Sequence, residues 1–188
     1  INWMKKKLKL NKIDIIPVSK PFVSKKNIIA INRVLKNGWI SSNGPELKKF
    51  ENEFSKLVDR KYSTTVSNGT AALEIAIKAL GIKKNDEVLI PNFTIISNAL
   101  AVLRQGAKPV LLDCNLENWN INIDDIEKKI TNKTKAIIIT HIYSFPNDMD
   151  KILKICKKHK ILLIEDAAEV LGLSYKDRKC GSFGDIST

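Results

Sequence analysis

The chain has 188 residues, 32 Lys and Arg against 20 Asp and Glu, a formal net charge of +12, and 44% hydrophobic residues. That apolar share excludes a disordered chain, and the length suffices for one domain with its own core. No stretch approaches the roughly 20 apolar residues of a membrane span, so no membrane partner is expected.

Other classes fall on composition. The lysines near the start (Lys5, Lys6, Lys7) precede no apolar run of the secretory kind. Cys114, Cys156 and Cys180 are far apart and lack the paired spacing of a metal site, so no metal is expected. A cytoplasmic setting follows most simply. The positive charge invites a nucleic-acid reading, but only Arg33, Arg60, Arg104 and Arg178 are arginines, and aromatic residues make up 6%. Base readout leans on arginine forks, and single-strand binding on aromatics between charges, so no nucleic-acid partner is expected.

Residues 1–21 are basic and show no sustained period, which predicts an arm preceding a domain over 22–188. Ser24 is placed to cap a helix over 25–36, ended by Asn37-Gly38. A second amphipathic helix is expected over 46–58, with Leu47, Phe50, Phe54 and Leu57 on one stripe. Short strands and helices then alternate. Strands are predicted at 62–66, 87–90, 108–113, 135–140 and 161–164, with helices at 71–80, 94–105, 123–130 and 148–159. Continuous apolar strands between helices predict an α/β fold, a mostly parallel sheet covered on both faces.

In such sheets ligands gather at the carboxyl ends of the strands. Ser67-Asn68-Gly69-Thr70-Ala71 sits at one such end, where a tight turn at Gly69 and the free amides of a helix start would suit a phosphate. The same five residues also fit a plain strand-to-helix turn with a cap. Glu165-Asp166 closes the last long strand, and alternation forbids both side chains from facing the same way. Whichever acid lies over the ligand edge needs a cation or a donor to stay ionised, and a protonated ring nitrogen would serve. His141 follows the strand ending at Thr140, as a ligand-edge group, an orienting group or a backbone-satisfied ring. No Gly-x-Ser-x-Gly elbow, P-loop or Gly-x-Gly-x-x-Gly turn occurs.

Six segments in order resemble the fold type I, pyridoxal-phosphate-dependent sugar aminotransferases of the DegT/StrS group. They are Asn37 to Ser42, Ser67 to Leu73, Pro91 to Thr94 with Gly106 to Val110, His141 to Asp150, Glu165 to Glu169, and Gly181 to Asp185. The resemblance implies the large cofactor-binding domain of a three-layer fold, truncated before a C-terminal small domain. It implies that Gly69, Thr70 and Ala71 hold the cofactor phosphate and that Asp166 pairs with the pyridine nitrogen, making the ring an electron sink. Glu169 would contact the ring hydroxyl or the substrate, as in enzymes that make 4-amino-6-deoxyhexoses. Trp39 and Ser42 would lie near the active-site entrance or a dimer contact, and with His141 form the substrate-binding set. Ile95 stands where the family usually stacks an aromatic on the ring, so weaker apolar contact would replace stacking.

The resemblance further implies transfer of an amino group, with glutamate as donor, to a keto group on a nucleotide-linked sugar, by a homodimer. The Schiff-base lysine is expected a few residues beyond Thr188, so this segment alone would be inactive, and poorly soluble or unstable. Three alternatives stay open. The first is a dehydratase of the same family, with histidine in place of that lysine; the second is a non-catalytic regulatory relative. The third, against the expectation from composition, is a nucleic-acid binder, which predicts salt-sensitive binding to DNA or RNA.

Overall fold

The computed structural model describes residues 17, 20–41 and 43–188. The expected arm therefore lies, apart from residues 17, 20 and 21, outside the described residues, and so does Ser42. The chain divides into two compact units, one ending at Glu46 and the other spanning Leu47–Thr188.

In the first unit, helix α1 (Lys25–Lys36) begins where the sequence predicts. Ser24 Oγ accepts from the Asn27 amide, and Asn27 Oδ1 accepts from the Ser24 amide, so two orphan donors are satisfied reciprocally. No residue of α1 is buried, and Ile28, Ile29, Ile31 and Leu35 are all exposed. Trp39 also belongs to this unit and is 46% exposed.

Helix α2 (Pro45–Leu57) leads into the second unit. There the chain runs α3 (Gly69–Ala79), β1 (Glu87–Pro91), α4 (Ser97–Arg104), β2 (Lys108–Leu112), α5 (Ile123–Lys129), β3 (Thr134–Thr140), α6 (Met149–His159), β4 (Leu162–Asp166), a short hairpin of β5 (Ser174–Tyr175) and β6 (Arg178–Lys179), and β7 (Ile186–Ser187). Five strands form one sheet in the order β2-β1-β3-β4-β7, every neighbouring pair parallel. The hairpin β5-β6 is antiparallel.

Alternation within each strand feeds two cores. Val88, Ile90, Ala136, Ile138 and Ile164 pack with Leu73, Ala76 and Ile77 of α3 and Ala101 and Val102 of α4. Leu89, Leu112, Ile137, Ile139 and Leu163 pack with Ile126 of α5 and Met149, Ile152 and Cys156 of α6. The sheet is thus the middle of three layers, as the strand pattern predicts. Because β1 is followed by β2 on one side and β3 on the other, the direction of winding reverses between β1 and β3. The carboxyl ends of those two strands mark the switch point where such folds bind ligands.

Two local expectations differ from the structure. Residues 62–66 form no strand and pair with none among the described residues. The Thr65 amide donates instead to Glu51 Oε1 of α2 at 2.7 Å, and the Thr65 hydroxyl to the same oxygen at 2.9 Å. A side-chain acceptor on the neighbouring helix has taken the donor that a ladder would have used. Helix α4 also starts later than the sequence suggests, at Ser97. Residues 92–96 form an irregular turn instead, and the Thr94 hydroxyl there is hydrogen-bonded to Thr140 rather than carried on the helix.

Candidate functional site

Asp166 ends β4 directly opposite Thr140, which ends β3. Its carboxylate accepts from the Thr140 hydroxyl at 3.2 Å and the Asn98 amide nitrogen at 3.4 Å, and from the Ala168 backbone at 3.4 Å. Asn98 also donates to Thr94 and Thr140, each at 2.9 Å. Asp166 keeps 4% of its surface exposed and Asn98 none, and Asn98 Oδ1 is buried without a partner among the described residues. Burial pushes the Asp166 carboxyl above its ordinary range, and the hydrogen bonds from Ala168, Asn98 and Thr140 offset only part of that rise. A buried acid whose existing donors do not suffice favours a cationic partner.

The residue before Asn98 extends the network to the next element. Ser97 Oγ lies 2.8 Å from Thr70 Oγ1 in the first turn of α3. Adjacent residues of α4 therefore tie Asp166 and the start of α3 into one site. Asn68, extended at φ −169°, is the N-cap of α3, and its Oδ1 accepts from the Ala71 amide at 2.9 Å. The amides of Gly69 and Thr70 have no partner among the described residues. That corrects one detail of the sequence reading, since the Ala71 amide is already occupied by the cap and offers no free donor. Gly69 does not take a positive φ. A Cβ there would meet nothing within 4 Å, so the missing side chain leaves its amide openly approachable.

Ile95 is 62% exposed in the irregular turn after β1. Glu169 is exposed, and its Oε2 accepts from the Tyr143 amide while its carbonyl accepts from the Ser144 hydroxyl at 3.0 Å. Those contacts hold Tyr143 and Ser144 at φ 49° and 68°, two consecutive left-handed residues without a glycine.

His141 departs from the expectation of a substrate contact. It has no exposed surface, and both ring nitrogens are engaged. Nδ1 accepts from the Asn147 amide at 3.0 Å, which leaves the proton on Nε2 to donate to Glu165 Oε1 at 3.1 Å. Strand alternation explains the placement. Thr140 and Asp166 face one side of the sheet, His141 and Glu165 the other. An asparagine-lined cleft of about 240 Å³ between Asn115 and Lys151 contains none of Thr70, Asn98 or Asp166.

Sequence reasoning missed Thr94, Ser97, Asn98 and Thr140. Their only signal is position, since Thr94 and Asn98 stand one helical turn apart and Thr140 is the polar end of an apolar strand.

Residues 22–188 match the sequence profile of the DegT/DnrJ/EryC1/StrS aminotransferase family. The chain belongs to that family. It is 46% identical over 173 residues to GDP-perosamine synthase of Escherichia coli O157:H7, which covers 92% of this chain and 48% of that protein. Among solved structures it superposes with a TM-score of 0.87 on a putative sugar aminotransferase, Spr1654 of Streptococcus pneumoniae, in its PLP form. That match is 28% identical and covers 92% of this chain and 47% of the other. A GDP-4-keto-6-deoxymannose-3-dehydratase with a trapped PLP-glutamate geminal diamine matches with a TM-score of 0.85 and 28% identity, covering 89% of this chain and 45% of that one. The chain spans about half the length of these relatives.

Proposed function

We propose that the full-length protein containing this chain is a pyridoxal-phosphate-dependent aminotransferase. It moves an amino group from glutamate to a keto group on a nucleotide-linked sugar, acts as a homodimer, and serves amino-sugar synthesis for a surface glycan or polysaccharide. The observation that carries this reading is the tie between Asp166 and Thr70 through Asn98 and Ser97. It brings an under-compensated buried acid and a helix start with two open amides, those of Gly69 and Thr70, into one site, as a cationic ring with an anionic tail requires.

When bound, the cofactor supplies an electron-poor ring that accepts the electron pair left on the amino carbon as its proton departs. Asp166 would accept a hydrogen bond from the ring nitrogen and keep it protonated. Thr140 and Asn98 fix the carboxylate in rotation, so that little reorganisation accompanies binding. Gly69 and Thr70 would hold the phosphate through their backbone amides, with the Thr70 hydroxyl oriented by Ser97. Ile95 would cover one ring face. Glu169 has Oε1 without a partner among the described residues, and that oxygen would reach the ring hydroxyl or a sugar hydroxyl. Trp39 and Ser42 are proposed as entrance or subunit-contact residues. The lysine that would carry the cofactor and move the proton is proposed to follow Thr188.

Titrating the full-length protein with pyridoxal phosphate, followed by its absorbance, tests the reading. Saturable binding abolished by Asp166→Ala is the expected result; no binding by wild type would overturn it. A sugar dehydratase is the second reading, favoured by the likeness to the ketodeoxymannose dehydratase. Net amino transfer from glutamate to the sugar supports the first, and loss of a sugar hydroxyl without it the second.

A further inference from the structure

Glu165 is fully buried, yet it is not the acid proposed to touch the cofactor. Its two oxygens accept five hydrogen bonds, from His141 Nε2 at 3.1 Å, the amides of Gly181, Phe183 and Gly184 at 2.6, 2.7 and 3.1 Å, and the Ser187 hydroxyl at 3.2 Å. Its backbone joins the same segment, since the Thr188 amide donates to the Glu165 carbonyl and the Ala167 amide to the Thr188 carbonyl, each at 2.9 Å. Arg60 closes the outer side, its guanidinium donating to the Gly181 carbonyl at 2.8 Å, the Gly184 carbonyl and the Ser187 hydroxyl. Residues 181–188 are thus strapped beside β4 by one carboxylate and one guanidinium.

We propose that Glu165 is a positioning residue of the cofactor site: anchored on one face of β4, it fixes the rotation of Asp166 on the other face and the path of residues 181–188 beside it. This rests on the functional reading above, in which Asp166 meets the ring. The physics is short-range. Glu165 and Asp166 share a peptide unit, so five bonds restraining one side chain restrain the direction of the next. His141 supports the strap from behind, since the bond from Asn147 directs its single ring proton toward Glu165. A glutamine in place of Glu165 has nearly the same volume but only one accepting oxygen. It would leave amide donors of the segment unpaired.

The test uses the full-length protein and three readouts: amide hydrogen exchange in the ligand-free state, the dissociation constant for pyridoxal phosphate, and the 15N shift of ring-labelled cofactor at saturation. Glu165→Gln is expected to speed exchange at Gly181, Phe183 and Gly184 by about tenfold or more, by loss of charge-assisted bonds. It should also weaken cofactor binding by about fivefold or more and move the ring nitrogen toward its unprotonated shift. Leu116→Ala, an exposed change outside both cores and outside this network, should move none of the three. If Glu165→Gln does not fold, Ser187→Ala removes one donor to Glu165 and one acceptor of Arg60, and should shift all three in the same direction by less. Wild-type exchange in the segment, or wild-type affinity together with a wild-type ring-nitrogen signal, overturns the assignment. A wild type that takes up no pyridoxal phosphate overturns the functional reading instead, and exchange in the ligand-free protein keeps the two failures apart.

Discussion

Thr140 and Asp166 end neighbouring parallel strands in direct register, and the threonine hydroxyl donates across the gap to Asp166 Oδ2 at 3.2 Å. Each side chain is nearly enclosed, yet this bond and its neighbours do not lower the acid to its ordinary range. Burial thus disfavours the charged form of Asp166, and a cation placed beside it would favour that form, so stability without ligand and affinity for a cationic ligand pull in opposite directions.

Asp166→Asn should separate those two properties. Because folding raises this pKa, the group's stabilising contribution is present below its unfolded value, about 3.9, and is lost as pH rises through the raised folded value. Near neutral pH the ligand-free Asn variant should melt no lower than wild type, while its pyridoxal phosphate affinity falls about ten- to a hundredfold. Thermal melts with and without cofactor measure both.

Glu165 has the reverse sign. Burial opposes its ionisation, but hydrogen bonds from His141, Gly181 and Gly184 overcome that and hold it below the usual carboxylate range. Its contribution is full above about pH 4.3, the unfolded value, and is lost as pH falls through the depressed folded value. Stability profiles of wild type and Glu165→Gln should converge in acid and separate toward neutrality.

Gly69→Ala distinguishes an approach site from a structural glycine. The added methyl meets nothing within 4 Å. Folding stability should hold or rise by up to about 1 kcal/mol, since alanine is the better helix former. Cofactor affinity should nonetheless drop about tenfold, as the methyl crowds an amide left open for phosphate. Unchanged affinity would remove Gly69 from the site.

Gly184→Ala should fail for a different reason. A Cβ there would lie 2.6 Å from the Ile186 carbonyl oxygen, 2.9 Å from that of Leu163 and 3.0 Å from the Glu165 nitrogen. All three are backbone atoms of the sheet, so a loss of about 2 kcal/mol or more is expected in urea unfolding. Wild-type stability would contradict the close approach.

Cys156, with its thiol pushed up to about 12 by burial, should resist alkylation near pH 8 until the protein unfolds. Mass spectrometry of the Cys156 peptide reads this directly.

The layered architecture was legible because β1, β3 and β4 are apolar runs between amphipathic helices, and periodicity reports burial. Residues 62–66 look like a strand by the same measure, but Glu51, far enough away to be invisible to a local window, takes the Thr65 amide. The two short hairpin strands and β7 carry no periodic signal at two residues each. Within the site, Asp166, Gly69 and Thr70 stood out through their segments. Asn98 and Thr140 did not, because a polar residue on an internal helix face or strand end gains its meaning only from what lies across the sheet. Arg60 left a faint trace as an arginine in a chain that otherwise favours lysine, and its fork spans three acceptors of the strap.

The pair Tyr143 and Ser144 stays in the left-handed region while Glu169 holds both residues. Among the described residues the Glu169 carboxylate engages only the Tyr143 amide, since Ser144 bonds to the main-chain carbonyl. A glycine at 143 would adopt the left-handed conformation without steric cost and would lessen the need for that carboxylate. Across related sequences, positions 143 and 169 should therefore co-vary, with glycine at 143 leaving 169 free to carry other side chains.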